Sequence, residues 1–219
     1  MSVVIPNGDT VTYVYRHSQF EAGMTKDSRP NMVRSAASLI RTRGVNATSF
    51  SDVLADSGAP RGSVYHHFPR GKEQLAGDAI QWTSERVLAH QRACRATTAS
   101  GVLSCFIDMW RQVVVAAGGT AGCVVAGVAV DTIADATGLM EVIRATFRSW
   151  VDLLSDQLTA TGVPPKRASA IAVATLAGME GALILCRAEG NVGPLDAVAT
   201  ELMRLLRPER SARQDRSAR

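Results

Sequence analysis

At 219 residues the chain has room for one domain, or for a small domain beside a larger one, and with 46% apolar residues it can build a core. No apolar run approaches the roughly 18 residues that a membrane span requires. No secretory leader is visible at Met1, so a soluble, cytoplasmic protein is expected. The net charge of +4 is spread unevenly. Residues 24–96 carry 11 basic against 6 acidic side chains (+5), residues 97–206 carry 7 against 10 (−3), and residues 207–219 carry 5 against 2 (+3). A basic front on an acidic body suits a nucleic-acid partner at the front. Arg outnumbers Lys 21 to 3, however, which a GC-rich genome would explain equally well. Cys94, Cys105, Cys123 and Cys186 form no metal-ligand spacing and read as small buried hydrophobes of a reducing compartment.

Residues 1–23 lack a helical period and have no strand partner, so a disordered or loosely docked arm is expected there. A first helix should start near Pro30 and run to Arg43, with Val33, Ala36, Ala37 and Ile40 on one face and Gly44 closing it. Thr48 or Ser49 caps a short helix that buries Val53 and Leu54, and Gly58 supplies its left-handed end. Pro60 suits the first turn of the next helix, in which Val64 and Phe68 face inward. Pro69-Arg70-Gly71 breaks that helix. A long helix follows from Lys72 to about Arg95, with Leu75, Ala79, Trp82, Val87 and Ala89 inward.

From Ser100 onward every periodic segment is helical. Ser100 should cap a helix to about Ala117, burying Leu103, Phe106, Ile107, Trp110, Val113 and Val114. After the Gly118–Gly122 break, Cys123–Ile133 is apolar all round and is expected to be buried. Helices over Gly138–Thr161 and from Pro164-Pro165 to about Arg187 follow, then a last one striped with Leu195, Val198, Leu202, Leu205 and Leu206. Residues 207–219 are Ser/Arg-rich without an apolar face and read as a disordered basic tail. The class is all-α.

The two short helices joined at Gly58 carry the chemistry. The outer face of the second shows Arg61, Gly62, Ser63, Tyr65 and His66, a set of donors with a gap where a backbone can approach closely. That is a helix-turn-helix pattern, with a second helix able to enter the major groove of DNA. Arg61 can read guanine or hold a phosphate, and Tyr65 and His66 suit phosphate oxygens or thymine methyls. Lys72, beside a helix N-terminus, is a phosphate clamp, as are Thr48 and Ser49 at the earlier helix start. A metal site at His66-His67 is set aside, since adjacent residues point to different helix faces and no further ligand is spaced to join them. Gly118–Cys123 is a helix-to-helix turn rather than a phosphate cradle, because it follows no strand and lacks the Gly-Lys-Ser/Thr end. No nucleophile–base set is apparent, so neither enzyme activity nor a cofactor is expected.

Gly58-Ala59-Pro60-Arg61-Gly62-Ser63-Val64-Tyr65-His66-His67-Phe68, followed by Gly71-Lys72-Glu73-Gln74-Leu75, resembles the signature of the TetR family of bacterial transcriptional regulators. Pro69 to Leu75 is similar to the family's LmrA-like branch. The resemblance implies an N-terminal three-helix helix-turn-helix head over residues 24–72. It also implies a C-terminal helical ligand-binding and dimerisation domain over 73–206. The expected function is a homodimeric repressor released from double-stranded operator DNA by a small effector. The Trp and Met of the body and its acidic balance point to a flat, apolar, uncharged or weakly cationic compound, and the resemblance points to a flavonoid-like or drug-like one; a planar aromatic effector fits both. Phe106, Met109, Trp110, Cys123, Met140, Phe147, Trp150 and Met179 are the candidate effector contacts. Ala174, Gly178, Gly181, Leu195, Val198, Leu202 and Leu205 are the candidate dimer contacts, although packing within one chain would also explain them. Two rivals stay open, a ligand-independent architectural DNA-binding protein and a helical enzyme.

Overall fold

Spaced apolar residues at the start of the described chain fold as α1, Ser28–Arg43, two residues ahead of Pro30, which sits in its first turn. The computed structural model describes residues 28–132 and 137–207, so the arm at 1–23 and most of the tail at 207–219 lie outside the described residues. Met32, Ala36 and Ile40 are the inner face of α1. Ser49 then caps α2, Phe50–Ser57. Its hydroxyl accepts from the Asp52 N–H at 3.1 Å, and Asp52 Oδ2 accepts from the Ser49 N–H at 2.8 Å, a closed capping box. Gly58, at φ 67°, ends α2 by donating its N–H to Leu54.

Helix α3 is only Ser63–His67. Pro60 is not in its first turn but in a preceding turn, where its carbonyl accepts from the Ser63 N–H and hydroxyl. Val64 and Phe68 are buried as the spacing predicts. Phe68 itself, at φ −128° and ψ 63°, has left the helical region, which the following proline disfavours. Helix α4, Gly71–Ala93, leaves this head and runs into the body. Leu75, Ala79, Ile80 and Val87 are among its buried residues, whereas Ala89 is exposed rather than inward.

The body consists of α5 (Ala99–Ala116), α6 (Val124–Asp131), α7 (Thr137–Ala160), α8 (Pro165–Glu189) and α9 (Gly193–Arg204). No strand occurs among the described residues. Thr98, not Ser100, caps α5, accepting from the Gly101 N–H at 3.2 Å. Helix α6 is shorter than its apolar run and not buried all round, since Val130 is 83% exposed. Phe106, Trp110, Trp150 and Phe147 form an edge-on and tilted aromatic series with centroids 5.8–6.4 Å apart in the body's core. Cys94 and Cys105 are not two free thiols: they form a disulfide, with Cα atoms 6.2 Å apart, that ties the residue after α4 to α5. Cys123 and Cys186 are buried free thiols.

Helix α6 is fastened to the head at both ends. At one end the Gly122 N–H donates to the Arg41 carbonyl at 3.0 Å. At the other, Asp131 Oδ2 accepts from the Val45 N–H at 2.9 Å, and the Asn46 amide donates to the Asp131 carbonyl at 3.3 Å. Gly44, at φ 84°, lets the chain pass here. A Cβ on it would fall 2.5 Å from Asp131 Oδ2.

Candidate DNA interface and effector pocket

Because Val64 and Phe68 take the inner face of α3, the outer face is left to Arg61, Gly62, Tyr65 and His66, all exposed, with Tyr65 at 83%. No neighbour lies within 4 Å of a Cβ built on Gly62, so the gap faces outward. Pro60 is exposed beside it, and the Ser63 hydroxyl is turned back to Pro60 O at 2.6 Å. Lys72 Nζ donates to the Asn46 carbonyl at 3.1 Å, which holds the ammonium between the start of α4 and the loop after α1.

Thr48 does not fit its expected role. It is 3% exposed and its hydroxyl donates inward to Gly44 O at 2.8 Å. Ser49 is exposed, but its hydroxyl is engaged with Asp52. That carboxylate is held below its ordinary range by the Ser49 hydroxyl and N–H, and by nearby Arg43. An anionic Asp52 therefore already occupies the N-terminus of α2, where a phosphate would have been placed. Arg70, exposed at the N-terminus of α4, is a cation that the motif reading passed over. The face is braced from behind by α1: Arg29 pairs with Asp78 at 2.6 Å, and Ser28 Oγ meets His67 Nε2 at 2.8 Å.

A cavity of about 100 Å³ opens where α1, α4, α5 and α6 meet. Met109 and Trp110 of the expected lining are on its wall. Phe106, Cys123, Trp150 and Met179 are buried elsewhere in the core, and the half-buried Met140 and Phe147 are packed against that core; none of the six lines the cavity. The reason is mutual packing. The aromatic residues stack on one another, and Trp150 Nε1 donates to Ser84 Oγ at 3.2 Å. The missed wall residues come chiefly from α4 and α1: Trp82, Thr83, Arg86, His90, Ala37 and Arg41. Trp82, Arg86 and His90 recur every four residues, a signal that was legible along α4.

The expected dimer contacts divide. Leu195 (0% exposed) and Leu202 are buried within the chain, so their side chains are not available to a second copy. Gly178 admits α9: a Cβ there would lie 3.2 Å from Val198 and 3.6 Å from Leu202. Ala174 is half-buried, and Gly181 and Leu205 are exposed. What α8 turns outward is a different stripe at three- and four-residue spacing, Ala170, Val173, Ala177, Gly181, Ile184 and Ala188. Ile184 is 67% exposed. Helix α8 is also apolar and long enough to pass for a membrane span by composition, although much of that stretch is buried here.

The fold and the helix-turn-helix define a class. Residues 33–79 match the family model described as bacterial regulatory proteins, tetR family, and residues 99–201 match that of the LmrA/YxaF-like transcriptional regulator C-terminal domain. The chain belongs to the TetR family of DNA-binding transcriptional regulators, with an LmrA/YxaF-like C-terminal domain. It is 41% identical over 191 residues to an uncharacterized HTH-type transcriptional regulator of Mycobacterium tuberculosis, covering 84% of this chain and 97% of that one. To the HTH-type transcriptional regulator LmrA of Bacillus subtilis it is 27% identical, over 83% of this chain and 97% of LmrA. A TetR transcriptional regulator of Legionella pneumophila shares its fold, with a TM-score of 0.73 at 21% identity over 86% of this chain and 100% of that one. A cysteine mutant of the TetR-family regulator CifR, solved with a 26-bp operator duplex, does so with a TM-score of 0.69 at 15% identity over 86% and 98%.

Proposed function

We propose that the chain is a cytoplasmic homodimeric repressor that grips operator DNA with Arg61, Gly62, Tyr65, His66 and Lys72. A small molecule with a flat apolar body, entering the cavity among α1, α4, α5 and α6, releases it. The observation that carries this reading is the position of the cavity. Its wall is shared between α1 of the head and α4, α5 and α6 of the body, so an occupant touches both. Two copies are needed because one short recognition helix reads too few base pairs to specify a site, and a two-fold pair presents two of them to successive turns of the duplex. The outward stripe of α8 is the surface that a second copy would cover. An architectural DNA-binding protein, blind to effectors, would have no use for a cavity at this joint.

Release is tested on a duplex selected by the protein itself from a random library. Lys72→Ala should weaken binding to all sequences and lower the slope of log affinity against log salt by about one. An unchanged slope removes Lys72 from the interface. Val113→Phe, filling the cavity from α5, should keep DNA affinity and lose release by any compound that dislodges the unaltered protein. Undiminished release in that variant would place the effector elsewhere.

A further inference from the structure

The cavity wall has a definite electrical sign. Its apolar part is Trp82, Met109, Trp110 and Val113; its charged side chains are Arg41 and Arg86, with His90 alongside, and no lining residue is acidic. The acidic balance of residues 97–206 gave the opposite expectation because these cations do not belong to that span. Arg41 ends α1, and Arg86 and His90 lie on α4. The Arg86 guanidinium is stacked 4.7 Å from the Trp82 ring centroid, which lays it along an apolar surface. Both arginines engage other groups as well, but a guanidinium has five N–H donors and can hold a neighbour and a ligand together. His90 Nε2 faces the Cys105 carbonyl at 3.3 Å. Trp110 Nε1, buried on the same wall, is a donor with no acceptor among the described residues.

Cations and an orphaned donor in a partly desolvated hollow favour an acceptor-rich, negative ligand and oppose a positive one. Size narrows the class further. A cavity of about 100 Å³ is smaller than the roughly 150 Å³ that takes a benzene ring in another protein, so this one holds one ring at most, with the rest of the ligand at its open side. Resting on the effector pocket proposed above, we propose that its ligand is a small organic anion, a carboxylate carried on a single aromatic ring or an apolar body of that size. The carboxylate lies among Arg41 and Arg86, and the ring packs on Trp82, Met109 and Trp110. The uncharged or weakly cationic effector expected from the sequence is thereby replaced.

The full chain is titrated with benzoate, its neutral isostere benzamide and the cation benzylamine, following heat and tryptophan fluorescence. Benzoate should bind at least about tenfold more tightly than benzamide, with benzylamine weakest. Arg41→Gln and Arg86→Gln should each bring benzoate down towards benzamide while leaving benzamide itself within about twofold, and Arg86→Lys should restore part of the preference. Thermal melts establish that the variants are folded, and benzamide binding by them confirms an intact cavity. Equal binding of benzoate and benzamide by the unaltered protein overturns the anionic class but leaves the effector pocket standing. So does a benzoate preference that survives in both glutamine variants. If none of the three binds while the selected duplex is still held, both the class and the pocket are overturned.

Discussion

Glu180 is a carboxyl that the fold would rather keep protonated. It lies on α8, largely buried, with the Cys123 thiol hydrogen-bonded to it and Oε1 without a partner among the described residues. Burial raises its pKa from 4.5 to about 7. The Cys123 thiol is itself pushed well above its ordinary value, by burial first and by Glu180 second, so it stays protonated throughout this range. Between pH 4.5 and about 7 the folded chain therefore holds a proton that the unfolded chain releases. The contribution of Glu180 to stability is fully present below pH 4.5 and is lost as pH rises through about 7. At 1.36 kcal/mol for each tenfold change in proton affinity, the loss is about 3 kcal/mol. Glu180→Gln carries no such titration. Measured by urea unfolding, the variant should be more stable than the parent at pH 8 by up to about 3 kcal/mol, less whatever the new amide costs if unpaired. At pH 4.5 the two should differ by about 1 kcal/mol or less. The same pH slope in both proteins between pH 5 and 8, or a variant that is weaker at pH 8, would refute the buried, proton-holding carboxyl.

Three further outcomes are expected. Ile184→Glu, on the exposed stripe of α8, should leave the protomer's fold within about 0.5 kcal/mol of the parent but yield monomers in the ultracentrifuge and poor operator binding; a dimer that binds normally would discard the α8 face. Cys94→Ser opens a disulfide spanning 11 positions and should cost roughly 3 kcal/mol, and a reductant should do the same to the parent but nothing to the variant. Asp131→Ala removes the acceptor of the Val45 N–H and should cost about 1–3 kcal/mol, with faster hydrogen exchange at Val45 and Asn46; unchanged exchange at both would show that Asp131 does not fasten this joint.

Local chemistry was the legible part of the sequence. A cap, a left-handed glycine and a proline break are written in adjacent residues, so Ser49, Gly58 and the limits of α4, α7 and α8 fall within a residue or two of expectation. Thr48 failed because its hydroxyl has two equivalent uses, a phosphate or a backbone carbonyl, and only the packed loop selects Gly44 O. The leucine stripe of α9 shows that a helix buries one face but not against what. Leu195 is buried within its own chain, and Leu202 packs on Gly178 of α8, whose small size makes that approach possible. The cavity was the least legible feature, because four helices distant in sequence meet there, and of the aromatics counted as its lining only Trp110 reaches it while Phe106, Phe147 and Trp150 pack into the aromatic series. The Cys94–Cys105 disulfide was invisible for a similar reason: a spacing of 11 says nothing until the bend between α4 and α5 brings the two together.

Arg41 stands where these separate features meet. Its carbonyl accepts the Gly122 N–H that fastens the start of α6 to α1, and its side chain is part of the cavity wall. Gly122 lines the same cavity, so both partners of this hydrogen bond border the space that an effector would fill. A ligand shifts the protein between two arrangements only by the difference in its affinity for them, and about 1.4 kcal/mol of difference is tenfold in the equilibrium. An anion held by Arg41 and Arg86 together, as proposed above, would gain most in the arrangement that brings α1 and α4 to their best spacing around it. Helix α3 packs on α1, with Val64 and Phe68 buried in the core. A small change at the joint between Arg41, Gly122 and Asp131 would, on the function proposed above, reach the recognition helix through the packing of α1 on α3. The second fastening, at Asp131, ties the far end of α6 to Val45 in the loop after α1, so both ends of α6 are held by the C-terminal end of α1 and the loop that follows it.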